Sequence, residues 1–195
     1  MTARIVVLAI AVASMACGSA QTFPCDAGLA ARAPRNFGHV VTANGQPTRI
    51  YRGGQPTDCG QLEYLHSIGI RRILKLNDRQ LPQDSGELTE AARLGLEIVN
   101  LPFVASSIGR ADSCPKVREA LMSLEEDKGP IYVHCTAGKD RTGYIIGLYE
   151  KVVLRKSSAA VTAELHRFGH RGVRSLLMPQ IDRELRRDVP ECAVE

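Results

Sequence analysis

An α/β domain with a central, mostly parallel sheet flanked by helices is predicted by three features of this chain. Short runs rich in aliphatic and β-branched residues alternate with helical patterns along most of its 195 residues. The run Pro130-Ile131-Tyr132-Val133 is short, apolar and rich in β-formers, as a buried strand would be. A long apolar stretch beginning at Thr142 follows so closely that only a tight loop fits between strand and helix.

Residues 21–38 carry Pro24, Gly28, Pro34 and Gly38 with little periodicity, and are predicted to be an irregular lead-in to a domain over 39–195. Strands are predicted near 39–42, 48–52, 71–76, 96–101 and 130–134, and helices near 58–68, 84–95, 115–127, 142–155, 158–168 and 174–187. Asp58 and Asp84 offer the short acceptor side chain of an N-cap. Gly69 and Gly95 stand where a positive φ would end the preceding helix. No internal repeat or low-complexity tract interrupts this order, so one core and a single domain are expected.

In sheets of this kind ligands sit at the carboxyl ends of the strands, and the strand ending at His134 delivers Cys135 there. The loop Thr136-Ala137-Gly138-Lys139-Asp140-Arg141 then leads into the helix. Backbone N–H groups converging in such a loop, with about half a positive charge from the helix dipole, make a cradle for an anion such as phosphate. The same field favours thiolate over thiol, and the thiolate is the nucleophile. Arg141 supplies a planar fork of donors for two phosphate oxygens, and Lys139 adds a point charge at the rim. Thr142 could donate a hydrogen bond to the sulfur when it becomes the leaving group. His134 is expected to be a buried orienting residue rather than a proton shuttle.

The stretch His134-Cys135-Thr136-Ala137-Gly138-Lys139-Asp140-Arg141-Thr142-Gly143 resembles the Cys-x5-Arg-Thr signature of the cysteine-dependent protein tyrosine and dual-specificity phosphatases. Upstream, Tyr51-Arg52-Gly53-Gly54-Gln55-Pro56, then Leu62, Leu65, Ile68-Gly69-Ile70 and Ile73-Leu74-Lys75-Leu76, is similar to the N-terminal half of the compact members, so the resemblance covers 48–155. It implies the single-domain phosphatase fold. It also implies hydrolysis of phosphate monoesters through a phosphocysteine, without metal or other cofactor, with Cys135 as nucleophile and Arg141 as phosphate clamp. The inner Ala137-Gly138-Lys139-Asp140-Arg141 looks like a bacterial subgroup that includes enzymes acting on phosphoinositides. The expected partner is therefore a phosphorylated protein, or a phosphorylated inositol or lipid, for which Lys139 beside Arg141 is suited although Asp140 cancels part of the charge. The alternatives are a catalytically inactive phosphate-binding module and a thiol redox or arsenate-reducing enzyme. The latter needs a resolving cysteine, and Cys114 could approach Cys135 only through folding.

Phosphoryl transfer to Cys135 expels an alkoxide or phenoxide that a positioned acid should protonate. Related enzymes take an aspartate from the loop ahead of the helix before the catalytic strand. Here that loop is 103–113 and its acidic residue is Asp112. Asp112 also precedes Ser113-Cys114-Pro115, where it would suit a helix entry. Asp140 is the rival, because similar bacterial enzymes are thought to use the aspartate of that inner sequence. Its plainer role is an ion pair with a neighbouring base. Asp78, just after the strand at 71–76, could also border the pocket.

The N-terminus predicts export. Arg4 precedes the apolar run Ile5-Val6-Val7-Leu8-Ala9-Ile10-Ala11-Val12-Ala13 and then small residues, the pattern of a signal peptide over 1–20. That run is about half the length a membrane span needs. Ser14-Met15-Ala16-Cys17 resembles an imperfect bacterial lipobox, which would end the signal at residue 16 and place a lipid anchor on Cys17. The periplasm or cell envelope is the expected location, and such an anchor the expected membrane contact. Setting Cys17 and Cys135 aside leaves Cys25, Cys59, Cys114 and Cys192, an even set suited to an oxidising compartment. Three pairings are open; Cys25–Cys192 with Cys59–Cys114 would tie the chain ends and two helix starts.

A net charge of +4, no tryptophan and few aromatics give no support to nucleic-acid binding, and no zinc-ligand spacing is present. Toward the C-terminus Arg167, His170, Arg171, Arg174, Arg183, Arg186 and Arg187 form either a basic face for anionic substrates or a solvated helix face paired with Glu164, Asp182 and Glu184.

Overall fold

β5 (Ile131–Cys135) is buried at every position and forms the middle of the sheet. In the computed structural model, which describes residues 23–25, 29–77, 82–170 and 179–193, the sheet has the order β1-β2-β5-β3-β4. The other strands are β1 (Gly38–Val41), β2 (Pro47–Gly54), β3 (Arg72–Lys75) and β4 (Glu97–Asn100). β2, β5, β3 and β4 pair in parallel, and β1 alone runs antiparallel to its neighbour β2. Six helices flank this mixed sheet among the described residues: α1 (Cys59–Ser67), α2 (Pro82–Arg93), α3 (Cys114–Glu125), α4 (Asp140–Val152), α5 (Ser158–Arg167) and α6 (Pro179–Arg186). The predicted α/β architecture, a mostly parallel sheet flanked by helices, is thus the observed one.

The alternation of strand side chains divides the core. Ile50, Leu74, Ile131 and Val133 pack with α3, α4 and α6 on one face. Ile73 and Tyr132 pack with Leu62, Leu65 and Ala91 of α1 and α2 on the other. Phe23 of the lead-in joins that second cluster, so an apparently featureless segment carries a core residue. α4 is buried continuously from Thr142 to Glu150 because α3, α5 and α6 all pack against it. None of the helices in the described residues is long and apolar enough to cross a membrane.

Asp58 caps α1 as predicted, its Oδ1 accepting from the Gln61 N–H at 3.0 Å. Gly69 and Gly95 both take positive φ. Asp84 does not cap α2, which starts two residues earlier at Pro82; its carboxylate turns inward to Lys75 and Gln55 instead. α4 likewise begins at Asp140, ahead of the predicted 142, so Asp140 and Arg141 belong to its first turn. The signal segment, Cys17, Asp78, Arg171 and Arg174 lie outside the described residues.

The four remaining cysteines pair differently from the end-to-end arrangement. Cys25 bridges Cys59 with Cα atoms 4.9 Å apart, and Cys114 bridges Cys192 at 4.7 Å. The Pro24 carbonyl accepts from the Cys59 N–H at 2.9 Å, which lays the lead-in along the start of α1. Cys192 instead sits in a C-terminal 3-10 turn packed against α3. Cys135 is left as a buried free thiol. We expect reduction to raise the intact mass by two hydrogens per bridge. Replacing Cys114 and Cys192 by serine, which opens a separation of 78 residues, should cost about 4 kcal/mol in chemical denaturation. An unchanged mass on reduction would contradict the bridges.

Candidate active site

Cys135 is the last residue of β5 and pairs in register with Gly54 at the end of β2. Its residue is 3 % exposed. The chain then turns through Thr136 to Lys139 and enters α4 at once, so the positive end of the helix dipole faces the turn. Gly138 makes this turn possible: its φ is +71°, and a Cβ there would run into the backbone of Gly53. Gly53 and Gly54 make room for other partners: a Cβ on Gly53 would meet the Tyr132 hydroxyl, and one on Gly54 the Arg35 side chain.

Arg141 is held from three sides. It donates to the Leu76 carbonyl at 3.3 Å, to the Phe103 carbonyl at 3.4 Å and to Thr136 Oγ1 at 3.4 Å. These contacts bind the guanidinium to the ends of two strands and to the loop itself. Lys139 is exposed, with its stem against Gly169. Thr142 is fully buried, and its Oγ1 is among the buried atoms without a hydrogen-bond partner in the described residues.

His134 is fully buried, as predicted, and Nε2 lies 2.9 Å from Glu87 Oε1. Glu87 in turn meets Lys75 Nζ at 2.9 Å and Gln55 Nε2 at 2.8 Å, while Asp84 meets Lys75 at 2.7 Å. Asn77 donates to Gln55 at 3.0 Å. Burial would push the Glu87 carboxyl up, but His134 and Lys75 hold it down, to about 2. This buried polar cluster ties α2 to the ends of β3 and β5 directly beneath the loop. Its sequence signal is a lysine inside the otherwise apolar run Ile73-Leu74-Lys75-Leu76, since an unpaired buried ammonium would be very costly.

The two candidate acids occupy different surroundings. Asp112 lies in a 3-10 turn just before α3, its side chain 63 % exposed and 3.5 Å from Arg110. It caps neither helix. Asp140 lies in the first turn of α4, one-third exposed at 33 %, with Oδ1 2.6 Å from Nδ1 of the buried His170. His170 Nε2 lies 3.3 Å from Asp182, which also meets His166 at 3.3 Å. Burial alone would lower the His170 pKa, but the hydrogen bond and charge of Asp140, with Asp182 behind it, raise it above its ordinary value.

Part of the basic tail is paired among the described residues. Arg167 pairs with Glu164 at 2.8 Å, Arg187 pairs with Glu184 and Glu191 at 3.0 Å, and His170 is a buried residue rather than part of a surface. Three further residues, none of them a predicted site residue, reach the loop from behind: Arg35, Asn36 and Arg52 donate to its carbonyls. Burial pushes the Arg52 guanidinium down to about 10, partly opposed by Glu150 and Glu164. Its plane lies over the Phe168 ring, 3.9 Å from the centroid.

The family model described as a DSP-PTPase phosphatase fused to NAD+ kinase matches residues 33–182. Among curated proteins, the probable NAD kinase 2, chloroplastic, of rice (Oryza sativa subsp. japonica) is 34% identical over 115 residues, 57% of this chain and 11% of the relative. Inositol diphosphatase DSP1 of the same plant is 30% identical over 109 residues, 53% of this chain and 46% of the relative. The chain thus spans less than half the length of either protein. The core catalytic domain of the PP-IP phosphatase Siw14 from S. cerevisiae superposes with a TM-score of 0.64 at 24% identity, covering 80% of this chain and 86% of that one. TpbA of P. aeruginosa gives 0.58 at 22% identity, covering 72% and 81%. At such identities the two structures speak for the fold.

Proposed function

Because the chain belongs to the DSP-PTPase phosphatase family described as fused to NAD+ kinase, we propose that it hydrolyses phosphate monoesters through a phosphocysteine on Cys135. The observation that carries this reading is the placement of Cys135 at the end of the central parallel strand, within a tight turn that opens directly onto the N-terminus of α4. In the first step the sulfur attacks phosphorus in line, an S–P bond forms, and the P–O bond to the leaving group breaks. Inward N–H groups of the turn and the fork of Arg141 hold the equatorial oxygens as their charge grows. In the second step water attacks phosphorus, phosphate leaves, and the thiolate is restored, with the buried hydroxyl of Thr142 available to the departing sulfur.

Asp140 is the better-supported acid. Its side chain is partly exposed to an incoming substrate while its Oδ1 lies 2.6 Å from Nδ1 of the buried His170. A rate that depends on protonated His170 behind Asp140 falls as pH rises through the His170 pKa, which Asp140 and Asp182 raise above the ordinary 6.5. Asp140→Asn is expected to lower kcat on a substrate with a poor leaving group by roughly a hundredfold. His170→Gln should remove that alkaline limb from the kcat profile. Asp112→Asn should leave both nearly unchanged. A profile altered only by Asp112→Asn would reverse the assignment.

A second reading concerns substrate. Several relatives are named inositol diphosphatases, and Lys139 beside Arg141 adds a second cation where a neighbouring phosphate would lie. TpbA has been crystallised with phosphotyrosine. Turnover of inositol diphosphates, phosphoinositides, phosphotyrosine peptides and phosphoserine peptides, measured side by side, assigns the class. Export is part of the proposal, supported by the signal-like N-terminus and the two cysteine pairs, with the lipid anchor on Cys17 as the alternative to a freely soluble exported form.

A further inference from the structure

We propose that Asn36, in the lead-in segment, is a positioning residue for the phosphate loop, acting by holding the loop carbonyls outward so that the opposite N–H groups face the anion. This rests on the phosphatase reading for its role but not for its geometry. In a planar trans peptide the C=O of one residue and the N–H of the next point in opposite directions. Fixing a carbonyl from behind the loop therefore fixes a donor on its inner side.

Three consecutive carbonyls are fixed in this way. Arg35 donates to the Thr136 carbonyl. The Asn36 amide nitrogen lies 3.4 Å from the Ala137 carbonyl, 3.1 Å from that of Gly138 and 2.8 Å from that of Phe168. Two amide hydrogens serve three acceptors, so one is shared. Arg52 adds a donor to Gly138 at 3.1 Å. The N–H groups turned inward by these bonds belong to Ala137, Gly138 and Lys139. The contact to the Phe168 carbonyl closes the brace, because the side chain of the same residue carries Arg52 on its ring face.

Asn36 is itself firmly seated. It adopts φ +56°, a left-handed conformation that asparagine tolerates better than most residues. On one side the Arg35 carbonyl accepts from the Gly54 N–H at 2.9 Å. On the other, Phe37 stacks at 5.8 Å on Tyr51 and at 6.1 Å on Tyr132, and meets Tyr64 edge-on at 5.5 Å. A rigid donor held by an aromatic cluster is what positioning of an electrostatic cradle requires.

The test uses the full chain. Asn36→Gly keeps the left-handed backbone and removes the amide; Asn36→Asp keeps the shape and puts oxygens against the carbonyls. Both are expected to lower kcat/KM for an aryl phosphate by roughly ten- to a hundredfold, the scale on which small misplacements of catalytic groups are felt. Orthovanadate affinity, measured by calorimetry, should weaken in parallel, while the thermal midpoint moves little. Asn36→Gln, which retains the amide on a longer arm, should recover part of both. Wild-type kcat/KM and vanadate affinity in the glycine and aspartate variants would overturn the proposal, as would failure of both to fold, which would make Asn36 a general folding residue. If the wild-type protein turns over no phosphate ester, the phosphatase reading fails. The vanadate affinities then still decide whether Asn36 organises the loop.

Discussion

Cys135→Ser is expected to lower turnover of an aryl phosphate by roughly four orders of magnitude or more, the scale on which loss of a covalent nucleophile is felt. The serine hydroxyl is nearly isosteric but remains protonated at neutral pH, and so is a far weaker nucleophile than a thiolate. His134, the adjacent imidazole, is sealed in the core against Glu87 and cannot reach a substrate. Binding should survive the change. The N–H groups of the loop, the N-terminus of α4 and Arg141 are all untouched by it, so phosphate or a phosphorylated ligand should bind with little loss. Turnover abolished with binding retained separates a covalent role from a collapse of the loop. Turnover retained at the wild-type level would remove Cys135 from the mechanism.

Arg141→Ala should behave differently and damage both binding and chemistry. The guanidinium spans the Leu76 and Phe103 carbonyls and Thr136, so its removal takes away a charge and also loosens the junction of three segments. Losing a charged donor that strengthens as phosphoryl charge develops should cost about a thousandfold in kcat/KM. Vanadate, which mimics the five-coordinate state, should lose more affinity than phosphate does. Arg141→Lys is expected to recover little, because a point charge cannot bridge two phosphate oxygens in one plane. Equal and small losses for both ligands would place Arg141 in a structural role only.

The strands and the tight turn between β5 and α4 were legible in the chain because both obey local rules. A short apolar run, a glycine where the backbone must turn left-handed, and a helix start are all written within a few neighbouring positions. Asp58 shows the same locality, capping α1 as its position implies. Asp84 shows the limit: it looks like a cap, yet Lys75 on another element claims its carboxylate. Asn36 lies farther beyond local rules, since its partners stand 101 to 132 residues away and the segment holding it has no periodicity. Cysteine pairing stayed open in the sequence for a related reason. Counting establishes that four thiols are available, but which two meet depends on where the lead-in and the C-terminal turn are laid on α1 and α3. The relation of Asp140 to His170 was likewise hidden, because His170 reads as one more basic residue in a charged tail until folding buries it.

Acid-quenching the enzyme during turnover of an aryl phosphate, then measuring the mass of the peptide that contains Cys135, tests the covalent step most directly. The account predicts one phosphate group on that peptide, appearing with the first burst of released phenol and missing from the Cys135→Ser protein. Sustained turnover with Cys135 unmodified throughout, or with the phosphate found on a different side chain, would contradict it.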